Sequence, residues 1–229
     1  MAVKALAPGK PARKRGRPPS HAGSGEARRQ AILDAARDVF VHRGYAESSV
    51  DAVIERVGGS KATIYALFGS KEGLLSAVAA KCGAEFTDAV EKVDVSTSPA
   101  ESLRRIARAY CKAAFDARRL AMYRMAVGES GRRPESGDIY YRLGPRATLA
   151  VVEKFFRECA DKGVIETSDP DLLADGFLAA LRGSLFNRAV LNPTRVPTQP
   201  EIDHHIDFIV DTFLRGVRPT TANGPPERL

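Results

Sequence analysis

Ser60, Lys61, Ala62 and Thr63 are a run of small, polar or cationic side chains, followed by the apolar Ile64, Leu67 and Phe68. A helix of this pattern offers small and hydrogen-bonding groups to base edges in a DNA major groove while apolar residues hold it from behind. Tyr65 and Lys71 are within reach of backbone phosphates on the same reading, and the Lys71 ammonium stays charged at neutral pH. The first backbone amides of the helix are a further place for phosphate. Covalent chemistry finds no such support. The chain has no phosphate loop, dinucleotide fingerprint or nucleophile-base constellation, so no enzymatic activity is expected. Cys82, Cys111 and Cys159 are widely spaced and lack clustered histidines, which argues for reduced thiols and against structural metal or a cofactor, and Cys111 and Cys159 read as small core residues. His204 and His205 have no other ligand nearby in sequence and read as surface or interface groups.

Charge supports a polyanion at one end. The 229 residues carry 35 Lys and Arg against 28 Asp and Glu, and residues 1–80 hold 13 of the bases but only 7 of the acids. The rest is nearly balanced, giving an electrostatic front and back. The alternative reading is a solubilising basic tail. With 44% hydrophobic residues the chain can bury an extended core. The basic N-terminus is not followed by an apolar segment, and the most hydrophobic stretch, 172–191, contains Asp175, Arg182 and Arg188. Neither a secretory signal nor a membrane span is expected, and the location expected is cytoplasmic.

The elements that must position these residues are all helical, and about nine are expected. Residues 1–23 are basic and rich in Pro, Gly and Ala, and read as a flexible arm. Ala31, Ile32, Ala35, Ala36, Val39 and Phe40 recur at three- and four-residue spacing until Gly44 ends the pattern. Short helices follow over 50–57, with Ser48 or Ser49 as N-cap, and over 61–68, capped by Ser60. A longer one runs over 71–92, capped by Ser70. Ser98, Pro99 and Glu101 open a helix ending near Asp116, and another spans 118–127. A helix over 134–162 bends or restarts at Gly144-Pro145, and helices over 170–191 and 201–216 close the fold. A head over 24–70, a body over 71–217 and a disordered tail over 218–229 are the expected divisions. In the last hairpin, Leu172, Leu173, Phe177, Leu178, Leu181, Leu185 and Phe186 are expected to face Ile202, His205, Ile206, Phe208, Ile209, Val210, Phe213 and Leu214. So broad an apolar band can close the monomer core or also meet a second copy, making a homodimer.

The string RRQAILDAARDVFVHRGYAESSVDAVIERVGGSKATIYALFGSKEGLLSAV, Arg28 to Val78, resembles the DNA-binding head of the TetR family of regulators. The resemblance implies double-stranded DNA as partner, in the form of a palindromic operator. It places Lys61, Ala62 and Ala66 near base edges, and Ser49, Thr63, Tyr65 and Lys71 toward phosphates. Asp51 matches a position that contacts bases in some members, but an acid there repels phosphate and is weighted toward helix capping. Ile64 and Phe68 match buried positions. Three residues depart from the family pattern: Ile54 where Ala is usual, Gly59 where Val is usual, and Leu67 where His or Tyr often touches phosphate. The first two suit a volume exchange inside the head.

Arg15-Gly16-Arg17-Pro18 resembles the core of an AT-hook, in which the arginines seek the negative potential of a narrow A·T minor groove. Non-specific charge attraction is the alternative. The stretch MYRMAVGESGRRPESGDIYYRLGPRA, with DKGVI and DPDLLADGFLAALRG, resembles the AefR-like subgroup, whose relatives often repress transporter or efflux genes. It implies a small-molecule effector held between body helices. Tyr110, Phe115, Met122, Met125, Phe155, Phe156 and Phe177 are the expected apolar walls, with Tyr123 and Arg124 as polar anchors. Each can equally be ordinary core or surface. An effector would tilt helix 71–92 and change the spacing of two heads that must meet major grooves about 34–36 Å apart. An architectural DNA-binding protein and an activator are the rival readings.

Overall fold

The computed structural model describes residues 23–93 and 98–216. Arg15, Arg17 and the expected tail over 218–229 lie outside the described residues. Among those described the chain is all-α, as its periodicity requires, in ten helices. They are α1 (Gly23–Arg43), α2 (Val50–Val57), α3 (Lys61–Phe68), α4 (Lys71–Glu91) and α5 (Pro99–Ala114), followed by α6 (Ala117–Ser130), α7 (Pro134–Leu143), α8 (Pro145–Asp161), α9 (Pro170–Leu191) and α10 (Gln199–Gly216). The tenth arises because the 134–162 stretch breaks at Gly144, where φ −109 and ψ −91 leave the helical region and Pro145 starts a new first turn.

Side-chain caps set most starts. Ser49, Ser60 and Ser70 accept from the amides of Ala52, Thr63 and Gly73, so three consecutive helices begin on a serine. Such a cap is worth roughly 1 kcal/mol. Ser48 instead donates to the Tyr45 carbonyl, which leaves the α2 cap to Ser49. Ser98 makes no side-chain cap bond, contrary to the sequence expectation, and Pro99 alone presets that first turn. The cap that periodicity missed is Asp116, which accepts from Arg118 and Arg119 and starts α6 one residue early.

Two apolar clusters result. One gathers α1 to α4 around Ile32, Ala36, Val39, Phe40, Val53, Ile64, Leu74, Leu75 and Val78, and takes in Met122 from α6. Met122 is fully buried there, so α6 is bolted to the head. The second joins α5, α8, α9 and α10 around Ile106, Phe155, Phe156, Phe177, Leu181 and Val210. Helix α4 crosses between them, with Leu74 and Leu75 in the first and Phe86 and Val90 in the second.

The last two helices do not face each other as simply as expected. Helix α9 packs on α8 and α5 as well as α10, and α10 lies along α5. Leu172 and Phe208 therefore point outward, 67% and 64% exposed. Helix α9 is also broken internally at Gly183, whose φ of 45 and ψ of −151 only glycine adopts readily. His205 fills the break: its ring lies against Gly183, and its Nε2 is 3.0 Å from the Ala180 carbonyl. No helix among the described residues is long and apolar enough to cross a membrane.

Candidate nucleic-acid interface and ligand cavity

Helix α3 stands on Ile64, which is buried, and on the half-buried Phe68 ring, over which the Arg29 guanidinium lies at 5.0 Å. Because the helix is anchored at these two points, Ser60, Lys61, Ala62, Thr63, Tyr65 and Ala66 are all exposed. Leu67 is 42% exposed and does not support the helix from behind as its apolar character suggested. It follows Ala66 onto the open face because the helix has only one buried stripe.

The polar groups of this surface are held ready but not exhausted. Ser49 Oγ accepts one amide, which leaves its hydroxyl proton to donate. Ser60 Oγ lies 3.1 Å from Thr63 Oγ1. Lys61 Nζ pairs with Asp51 at 2.8 Å, and that hydrogen bond holds the Lys61 pKa above its usual value. Asp51 thus acts across the turn on Lys61, while the α2 cap is Ser49. Lys71 Nζ donates to the Ala46 carbonyl at 3.2 Å and sits 4.5 Å above the Tyr45 ring. Burial lowers its pKa, with Arg133 adding to the effect. Two of the three ammonium protons of Lys71 remain beyond that carbonyl.

The turn between α2 and α3 depends on a residue that motif reading overlooked. Arg28 of α1 donates to the Val57 carbonyl at 2.6 Å and also to the Gly58 carbonyl, placing a cation at the negative end of α2. Gly58 and Gly59 have φ of 69 and 102. A Cβ on Gly59 would stand 2.5 Å from Arg28 Nη2. The volume exchange with Ile54 is therefore corrected: the neighbour that glycine spares is Arg28.

A cavity of about 80 Å³ lies between α4, α5, α6, α7, α8 and α9. Of the residues read from sequence as ligand-facing, Tyr110 and Tyr123 line it, together with Phe86, Tyr140, Phe186, Arg119 and Arg182. The other expected wall residues lie elsewhere. Phe115, Phe155, Phe156 and Phe177 are buried in the body cluster, and Met122 is in the head cluster. Arg124 donates to the Ala189 and Val190 carbonyls at the end of α9, which fixes it as a tie between helices, and Met125 borders a separate hollow near Gly44. The aromatic walls meet edge to face: Tyr123 and Phe186 at 5.1 Å, Phe86 and Tyr110 at 5.6 Å. Burial raises the Tyr110 and Tyr140 pKa values, so both are neutral phenols at ordinary pH. Cys111 and Cys159 are buried free thiols, pushed up by burial to about 12 and about 11. They are poor nucleophiles.

A small-polar recognition helix on a three-helix support, joined to a helical body, defines a DNA-binding regulator, and comparison with known families agrees. The model for bacterial regulatory proteins of the tetR family matches residues 32–78. The model for the AefR-like transcriptional repressor C-terminal domain matches residues 101–216. The chain belongs to the TetR family of transcriptional regulators and carries an AefR-like C-terminal domain. Among solved structures it is similar to a TetR-family regulator from Mesorhizobium loti MAFF303099. That likeness is 25% identity over 85% of this chain and 98% of the other, with a TM-score of 0.73. It is also similar to the Flavonoid-responsive Regulator FrrA, at 29% identity over 86% of this chain and all of that one, TM-score 0.69. Among curated proteins it is similar to the uncharacterised HTH-type regulator YvkB of Bacillus subtilis strain 168. There the identity is 23% over 195 residues, 81% of this chain and 95% of that protein.

Proposed function

We propose that this regulator is a ligand-responsive repressor that binds a palindromic operator as a homodimer and releases it when a small molecule enters the body. The observation that carries the reading is helix α4. Its first turn holds Lys71 beside the recognition helix, its middle supplies Leu74, Leu75 and Val78 to the head cluster, and its distal half contributes Cys82, Gly83 and Phe86 to the cavity wall. A ligand that favours one position of α4 over another biases the head by its differential affinity for the two positions. FrrA is by name flavonoid-responsive, which supports an aromatic effector for a chain whose cavity has five aromatic walls.

On this reading Ser60, Lys61, Ala62 and Ala66 dock in the major groove, and Ser49, Thr63, Tyr65 and Lys71 hold phosphates. Arg15 and Arg17 follow the adjacent minor groove. The partner copy sits on α9 and α10, where Leu172 and Phe208 are uncovered and Leu185, Ile209 and Phe213 are half-buried. The regulated genes are a transporter, efflux or metabolic operon. The test is to select bound fragments from the host genome with the full-length chain and then screen compounds for release. A recurrent inverted repeat with compound-induced release is the expected result. Retention of all sequences alike, with no release by any compound, would leave an architectural DNA-binding protein in its place.

A further inference from the structure

We infer that the body cavity takes an aromatic anion, a single-ring carboxylate being the simplest case, with Arg182 as its charge partner. The inference rests on the effector reading above and narrows it to one ligand class.

Among the described residues the walls carry two guanidinium groups, Arg119 and Arg182, and no Asp or Glu. Arg182 is held in place before any ligand arrives. Its Nε donates to the Tyr110 hydroxyl, and its guanidinium carbon lies 5.9 Å from the Tyr110 ring centre and 5.4 Å from that of Phe186. Among the described residues no carboxylate lies within ion-pair distance of it. A stacked guanidinium with Nε engaged still presents its terminal N–H groups, the geometry that binds a carboxylate through charge-assisted hydrogen bonds. The broken backbone at Gly183 immediately follows Arg182 and interrupts the regular progression of α9 beside the cavity.

The approach has the same sign. A larger, more polar space of about 440 Å³ shares Cys82, Phe86, Ala113 and Arg119 with the cavity, so the two are contiguous. Arg37, Lys81, Lys112, Arg118 and Arg119 line it, with Asp116 as the only acid in its wall among the described residues. Asp34 lies behind this surface and pairs with Arg37 at 3.1 Å and Lys81 at 3.0 Å. Asp38 pairs with Arg37 as well, at 3.4 Å, so Arg37 and Lys81 are set against Asp34 and Asp38. Among the described residues Lys112 and Arg118 then stand against Asp116, a positive excess that raises the local concentration of anions in this vestibule. The inner space is less than the roughly 150 Å³ of an engineered cavity that binds benzene. One ring therefore fits only by reaching toward the vestibule, with its edges against Phe86, Tyr123 and Phe186.

Titration calorimetry with cinnamate and with cinnamamide, its neutral counterpart of nearly the same shape, tests the proposal on the full chain. The expected result is cinnamate binding at least about tenfold tighter than cinnamamide. Arg182→Gln should erase that preference, and Arg182→Lys should keep part of it, with unfolding curves confirming that each variant folds. Equal affinity for acid and amide on the unaltered chain, or no binding of either, overturns the proposal whatever the variants do. An undiminished preference in folded Arg182→Gln overturns it too. A parallel arm with operator DNA separates the two readings. Release by a neutral flavone but not by cinnamate sinks the anion class and leaves an effector-responsive regulator. Selective cinnamate binding that leaves the DNA complex intact upholds the anion site and removes the effector role.

Discussion

Lys61 Nζ stands 2.8 Å from Asp51 Oδ2, so the leading cation of the recognition helix is paired with an acid of the helix before it. Both side chains are more than half exposed, and the pair adds little to folding. Its consequence is for DNA. Asp51 sets the Lys61 side chain across the turn, and it also places a negative charge near the phosphates that α3 must approach. Asp51→Asn should leave the melting temperature unchanged and tighten binding to non-specific duplex, roughly fivefold at low salt. Fluorescence anisotropy on a random-sequence fragment measures it. Weaker binding would mean that the positioning of Lys61 outweighs the repulsion.

Gly59→Val forces a branched side chain onto φ 102 and against the Arg28 guanidinium that bonds the end of α2. A loss of about 1–3 kcal/mol is expected in denaturant unfolding. Pairing it with Ile54→Ala distinguishes the two explanations of this turn. No rescue is expected, because Ile54 is not the neighbour a Cβ would meet.

Met122→Ala should cost about 2–5 kcal/mol, the range for a buried large-to-small change. Met122 comes from α6 yet is packed among head residues. Hydrogen exchange should therefore show α1 and α4 losing protection along with α6. Loss confined to α6 would mean that the head core does not lean on it.

The head was legible because each of its parts is local. A serine cap, a small-polar run and an apolar stripe follow one another within twenty residues, and in the structure Ser60, Lys61, Ala62 and Thr63 are exposed while Ile64 is buried. Leu67 misled because hydrophobicity alone does not tell which side of a short helix a residue occupies. The cavity was legible only at Tyr110 and Tyr123. Its other walls come from helices far apart in sequence, and Arg182 was visible merely as a charge interrupting an apolar helix. Phe155, Phe156 and Phe177 look the same in sequence as cavity walls do, and only the packing of α8 and α9 on α5 sends them into the core.

Glu201 supplies a pH test of the α9–α10 corner. The Thr198 amide, Arg188 and the Thr198 hydroxyl all donate to its carboxylate and hold its pKa at about 2, below the ordinary 4.5. The folded state thus prefers the ionised form, so its stabilisation is complete above about pH 4.5 and fades as pH falls toward 2. Melting temperatures of the natural chain and Glu201→Gln should differ at pH 6 and converge as acid is added. A difference that stays constant down to pH 2 would contradict the assignment.

Docking of the exposed α3 face in a major groove is most directly tested by Ala62→Glu. Ala62 is exposed and small, so the substitution spares the core while putting bulk and negative charge at the centre of the face. Affinity for the selected operator and for a scrambled duplex should be measured side by side at one salt concentration. The account predicts that Ala62→Glu loses most of the operator preference, on the order of 100-fold or more, with an unchanged melting temperature. Operator binding as tight as that of the natural chain would contradict it.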